Sequence, residues 1–461
     1  MTLPGTTTFP DAFVWGAATS SYQIEGAVET DGRGPSIWDT LSHTPGRIAD
    51  GSTGDVAVDH YHRVEQDVQL MQELGLHTYR FSVAWPRIVP DGDGEVEPRG
   101  LAFYRRLVGL LRQADIEPMV TLYHWDLPQA LQDRGGWANR ATADAFVRYA
   151  RVVQDELGGD VRRWTTLNEP WCASFLGYAA GEHAPGITDP RAAFRAAHHL
   201  LLAHGDAIAA MRGAGGDDHD LGIVLNLVPV VADTEDPADL AAAHQLDGSA
   251  NRLFLDALLR GGYPDDVAAL FARFRAADAV LAGDADRIAQ PIDLLGVNYY
   301  TRTHVRAGSG APTLGSAHPG CDDVQILPPE EPLTTMGWSV EPEGLEALLL
   351  RLRDDYAAPP VMICENGAAY PDHVAADGTI DDPDRIAYLD VHLRAVARAI
   401  QAGADVRGYL VWSLLDNFEW AHGYRQRFGI VHVDAAQRRT LKASARWYRD
   451  VIARNGLTDL A

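Results

Sequence analysis

The stretch VMICENG, residues 361–367, decides the fold. Val361, Met362, Ile363 and Cys364 form a short apolar run, Glu365 ends it, and Asn366-Gly367 supplies turn chemistry. Such a run reads as a fully buried parallel strand stopping at a turn. A lone buried carboxylate is costly there, but the carboxyl ends of strands in an α/β barrel are where catalytic groups sit. RWTTLNEP, residues 163–170, repeats the design with Asn168 and Glu169 at its end. Two glutamates so far apart in sequence meet only if both strand ends open on one cleft. Facing carboxylates of this kind suit acid/base and nucleophilic chemistry, glycoside hydrolysis above all.

Working outward, strand-like and helix-like segments alternate along the chain. Strands are expected at 13–18, 77–85, 117–125, 163–170, 221–228, 292–300, 361–367 and 406–414. Helical periodicity separates them at 64–74, 101–112, 142–157, 190–211, 241–259, 343–353 and 386–401, and a last helix is expected at 443–454. Eight such repeats imply a closed (β/α)8 barrel of the TIM type, with an open doubly wound sheet as the alternative. No internal repeat or linker divides the chain, so residues 1–461 read as one catalytic barrel domain. The Gly- and Pro-rich stretch 301–337 leaves the sixth strand's end and reads as a wall or lid over the site.

With 39 basic and 64 acidic residues the net charge is −25. That balance disfavours nucleic acid and anionic membranes as partners. No run approaches the length of a membrane span, and the first residues lack the pattern of a signal peptide. Three cysteines, Cys172, Cys321 and Cys364, show no metal or disulfide framework. Together these features point to a cytoplasmic protein. Cys172 and Cys364 lie near the two glutamates, yet neither sits in a nucleophile motif, and both read as small packing residues. By period-2 alternation, Cys364 should point to the helix layer if Glu365 points into the barrel.

The expected strand ends share one composition. The first offers Gln23 and Glu25, the second Arg80, the third His124 and Trp125. Asn168 and Glu169 follow on the fourth, Asn298 and Tyr300 on the sixth, and Trp412 with Glu419 and Trp420 on the eighth. Planar polar groups match vicinal hydroxyls, and indole faces match the C–H faces of a pyranose. Each has a plainer reading alone: Arg80 as a buried ion-pair partner that could also keep Glu365 ionised, His124 as a half-buried core histidine, Trp412 and Trp15 as core. Glu25 reads as a support for Gln23. A metal-dependent hydrolase would need clustered His and Asp ligands, whereas His124 stands largely alone and His198 and His199 are helix neighbours facing different ways.

Five blocks stand in one order: FVWGAATSSYQIEGA, TLNEP, GVNYYT, ENG and VWSLLDNFEWAHGYRQRFGIVHVD. In this the chain resembles glycoside hydrolase family 1, the β-glucosidase family, along nearly its whole length. The resemblance implies Glu365 as nucleophile and Glu169 as acid/base, with Asn298, Tyr300 and Arg80 supporting them and Tyr300 bonding Glu365. It implies that Gln23, His124, Trp125, Asn168, Glu419 and Trp420 hold the sugar, that Trp412 is its platform, and that Trp338 and Phe428 line the substrate site. Cys364 departs from the threonine usual at that position. The expected partner is a small β-glycoside or oligosaccharide, with no metal or organic cofactor. A 6-phosphoglycosidase would carry a phosphate-holding set in place of Glu419-Trp420, and a non-catalytic sugar-binding barrel would have lost one glutamate.

Overall fold

The computed structural model describes residues 6–215, 218–309 and 314–460. Eight parallel strands close into a barrel: β1 (Val14–Ala18), β2 (Thr78–Ser82), β3 (Glu117–Tyr123), β4 (Arg163–Asn168), β5 (Asp220–Asn226), β6 (Leu294–Asn298), β7 (Val361–Asn366) and β8 (Val406–Trp412). Each pairs with its sequence neighbours, and β8 pairs with β1 to complete the ring. The open sheet is thereby excluded.

Local chemistry explains the surrounding helices. Leu345, Leu348, Leu349 and Leu352 recur along one face of Pro342–Tyr356 and are all buried, the spacing of an amphipathic helix. Proline opens this helix and also Pro98–Gln113, Pro190–Gly213 and Pro383–Gln401, where its missing N–H costs nothing. Asp189 caps Pro190–Gly213 by accepting from the Arg191 amide. The segment expected as one helix at 241–259 is two, Pro237–Asp247 and Leu253–Leu259, joined by a π turn. Among the described residues no helix is long and apolar enough to cross a membrane.

Two apolar cores build the barrel and its helix layer. A large one fills the space between strands and helices. A smaller one fills the barrel, with Met119, Val224, Leu294, Met362, Cys364 and Leu410. Cys364 therefore points inward, not to the helix layer as alternation implied. The cause is a break in register between Ile363 and Glu365 on β7, which sets both Cys364 and Glu365 on the inner side. A matching break lies between Thr165 and Asn168 on β4. Both glutamates thus follow irregularities that re-aim a strand end.

The long stretch after β6 is more ordered than its composition suggested. Thr303–Ala307 pairs antiparallel with Val324–Ile326 and parallel with Val230–Ala232. The Val305 and Val324 side chains of this small accessory sheet join Ala242, Leu246 and Cys321 in a separate apolar cluster. Residues 310–313 lie outside the described set.

Candidate active site

A cavity of about 550 Å³ opens at the carboxyl ends of the strands. Glu169, Glu365, Asn298, Tyr300, His124, Trp125, Trp338, Trp412, Glu419, Trp420 and Phe428 all line it. Gln23, Arg80 and Asn168 are fully buried and bond to lining residues from behind. Glu25 departs from its expected place: it accepts from Arg87 Nε at 3.1 Å and Tyr104 Oη at 2.6 Å, and makes no side-chain bond to Gln23. A buried guanidinium needs a carboxylate, and Arg87 takes this one.

The two glutamates sit in contrasting surroundings. Glu365 Oε1 accepts from Arg80 NH1 at 2.7 Å, and Oε2 accepts from the Tyr300 hydroxyl at 2.8 Å. Arg80 itself is fixed by Thr121 Oγ1 at 2.9 Å and Asn168 Oδ1 at 2.7 Å. Glu169 has a neutral partner, the Asn298 amide, at 2.7 Å from Oε1. Burial pushes both carboxyl pKa values up, and Arg80 and Tyr300 oppose the rise at Glu365. At Glu169 burial and repulsion from Glu365 prevail and take the pKa to about 8. Partners favour the charged form at Glu365, while burial and repulsion favour the protonated form at Glu169.

A third carboxyl completes the set. Glu419 is buried, and burial with repulsion from Glu365 raises its pKa to about 8 as well. The Gln23 amide donates to Glu419 Oε2 at 3.3 Å and to Asn417 Oδ1 and the Phe418 carbonyl at 3.0 Å each. His124 is buried, and burial beside Arg80 drives its pKa well down, so the ring is neutral. Its Nε2 faces the Asn168 amide nitrogen at 3.0 Å and must accept, which places the proton on Nδ1. That Nδ1 has no partner within the protein. A buried donor without an acceptor is expensive, and a ligand hydroxyl would satisfy it.

Aromatic rings shape the walls. Trp412 and His124 stack with centroids 5.9 Å apart, and Trp420 lies 4.5 Å from Trp125. Tyr300, Trp338 and Phe428 form a second group at 5.2–6.2 Å. Trp125, Glu169 and Trp420 hold positive φ of 78°, 48° and 47°. Such conformations cost about 1–3 kcal/mol each in a non-glycine residue and cluster at functional sites.

Some lining residues were not singled out in the sequence. Trp171 follows Asn168-Glu169-Pro170 directly, a position that could have flagged it. His183 and His318 also line the cavity but stand in loops with no signal around them. His198 and His199 lie elsewhere and are spent structurally, on Tyr263, Asp284 and the Trp137 carbonyl. Among the described residues, one His/Asp group could hold a metal: Asp372, Asp416 and His432. The Lys442 ammonium already bridges its carboxylates at 2.8 and 2.9 Å, so the group is an ion-pair cluster.

A barrel that presents two buried, differently partnered carboxyls in one sugar-sized cavity has the design of a glycoside hydrolase. The comparisons agree. The family model "Glycosyl hydrolase family 1" matches residues 5–457, and the chain belongs to that family. It is 53% identical over 98% of its length to thermostable beta-glucosidase B of Thermobispora bispora, covering 92% of that protein. It is 48% identical to a bifunctional beta-D-glucosidase/beta-D-fucosidase of Bifidobacterium breve, over 96% of this chain and 98% of that one. Among solved structures, the psychrophilic beta-glucosidase BglU of Micrococcus antarcticus superposes with a TM-score of 0.93 at 50% identity, covering 97% of this chain and 98% of its own.

Proposed function

We propose that the chain is a retaining β-glucosidase acting on terminal β-D-glucosyl residues, through one catalytic barrel domain spanning residues 1–461. The observation that carries this is the opposite treatment of two carboxyls: Arg80 and Tyr300 on Glu365, a neutral amide and a pKa of about 8 at Glu169. Glu365 attacks the anomeric carbon while Glu169 gives its proton to the departing glycosidic oxygen. The resulting ester removes the charge that repelled Glu169, whose pKa falls. Glu169 then takes a proton from water, the water oxygen bonds to the anomeric carbon, and the ester bond breaks to regenerate Glu365. Two inversions leave the β configuration in place.

In this reading Gln23, His124, Asn168, Glu419 and Trp420 hold the glycone hydroxyls, with His124 Nδ1 donating. Trp412 is the platform, and Trp125, Trp338 and Phe428 complete the walls. Glu419 and Trp420 stand in place of the phosphate-holding set that a 6-phosphosugar would need, which disfavours that substrate. The contact of Glu419 with the 4- and 6-hydroxyls would tolerate either 4-epimer, glucoside or galactoside, and the Bifidobacterium relative's name supports activity on fucosides as well. Three buried free thiols suit a cytoplasmic setting. The test is release of 4-nitrophenol from its β-D-glucoside by wild type and Glu365→Ala. Turnover that collapses in the variant is expected. A folded wild type inert toward the glucoside, galactoside and 6-phosphoglucoside would overturn the proposal in favour of a sugar-binding barrel.

A further inference from the structure

Lys442 is the single lysine among 39 basic residues, all the others being arginine, and it is fully buried. A buried charge is costly unless it is paired, and the pairing here is specific. Nζ lies 2.8 Å from Asp372 Oδ1 and 2.9 Å from Asp416 Oδ1. Asp372 belongs to the loop that follows Glu365 on β7, and Asp416 opens the loop that follows Trp412 on β8. A compact ammonium suits two converging carboxylates, whereas a planar guanidinium fork matches one. The main chain makes the same connection. The Lys442 amide donates to the Ile430 carbonyl at 3.1 Å, and the Ala443 amide donates to the Ile380 carbonyl at 2.9 Å. Lys442 thus joins the loop behind the nucleophile to the loop that carries Glu419 and Trp420.

Asp416 passes the constraint on. Its Oδ1 also accepts from the Gly429 amide at 3.0 Å, and its own amide donates to the Val431 carbonyl at 2.9 Å. The segment between them is therefore a loop closed at its base. That base has no slack at Gly429, where a Cβ would meet the Asp416 amide nitrogen at 2.0 Å. Asn417 Oδ1 and Glu419 Oε2, on the closed loop, both accept from the Gln23 amide. Where the base sits decides where these acceptors stand against the end of β1. Lys442 itself does not line the cavity, so any effect on substrate passes through Asp416.

We propose that Lys442 is a positioning residue for sugar recognition: by fixing Asp416 against Asp372 it sets where Glu419 meets the 4- and 6-hydroxyls, and so how strongly a β-glucoside is preferred over its 6-deoxy analogue. The inference rests on the hydrolytic reading of the inner site. Because the chain has one lysine, protein labelled with [ε-15N]lysine gives one side-chain ammonium signal by NMR. Saturating methyl 1-thio-β-D-glucoside should shift that signal, and the 6-deoxy thioglucoside should shift it less. In Lys442→Met, kcat/KM for 4-nitrophenyl β-D-glucoside should fall about tenfold, the loss of one hydrogen bond, while the value for the 6-deoxy-β-D-glucoside changes little. A purely structural role would lower both values together. An ammonium signal unmoved at saturation, or a wild-type ratio of the two substrates in folded Lys442→Met, would overturn the inference. Should the variant not fold, the signal in the wild type decides. A wild type that binds the thioglucoside but cleaves no β-glucoside would count against the hydrolytic reading alone.

Discussion

The ends of β4 and β7 are built alike and tuned apart. Each carries a register break that turns a glutamate into the barrel mouth. At β7 the carboxylate meets a guanidinium and a phenol; at β4 it meets a carboxamide. Burial acts on both and raises both pKa values, so what distinguishes them is their partners and not their depth. The lesson concerns division of labour: under the proposed assignment, two identical side chains serve as nucleophile and acid because only one bonds the guanidinium directly.

Substitutions can break this contrast in graded steps. Glu365→Ala removes the attacking group and should depress kcat by several orders of magnitude for every β-glycoside, as deletion of a nucleophile does elsewhere. Glu169→Gln withdraws the proton donor and should cost about 10²–10⁴-fold on substrates with poor leaving groups, but far less on 2,4-dinitrophenyl β-D-glucoside, whose phenolate needs no proton. Tyr300→Phe deletes one hydrogen bond to a charged oxygen, worth about 1.5–3 kcal/mol, and should lower kcat about 10- to 150-fold with little change in KM.

The pH profile sharpens the comparison further. Glu169 must be protonated to act, so kcat/KM should fall as pH rises through about 8. Glu365 must be ionised, so the acidic limb reports it. Removing the Tyr300 donor should move that acidic limb upward, because a lost hydrogen bond to the charged form raises the pKa. The limbs belong to a coupled pair and are read as macroscopic values. An alkaline limb that moved in Tyr300→Phe while the acidic limb stayed would invert the assignment.

The barrel was legible because its strands are apolar runs and its helices keep their period; observed strands lie within the expected segments, apart from a one-residue early start at Asp220. The strand-end residues were legible for the same reason, since polar groups stand out where an apolar run stops. Cys364 was misplaced because the period-2 rule assumes an unbroken ladder, and the break beside Glu365 leaves no mark in the sequence. Glu25 was misread because its partners Arg87 and Tyr104 lie on other elements. The accessory sheet hid behind its Gly and Pro content, since its strands of three and five residues are too short to show alternation.

One long-range network was also silent in the sequence. Asp416 accepts from the Gly429 amide at 3.0 Å, Lys442 Nζ at 2.9 Å and Arg427 NH1 at 3.0 Å. It thereby closes the loop that bears Glu419, Trp420 and Phe428. His432, between Asp372 and Asp416, is raised to about 9 by those carboxylates and stays charged near neutrality. Its members become neighbours only after the barrel forms.

The most direct test of the unequal pair is rescue by azide, with the product's anomeric configuration read by NMR. In Glu365→Ala, azide takes the place of the nucleophile on the face opposite the leaving group, and α-glucosyl azide is expected. In Glu169→Ala the glucosyl-enzyme still forms on Glu365, azide then attacks the other face, and β-glucosyl azide is expected. The reverse pairing of variants and products would contradict the roles given to Glu365 and Glu169.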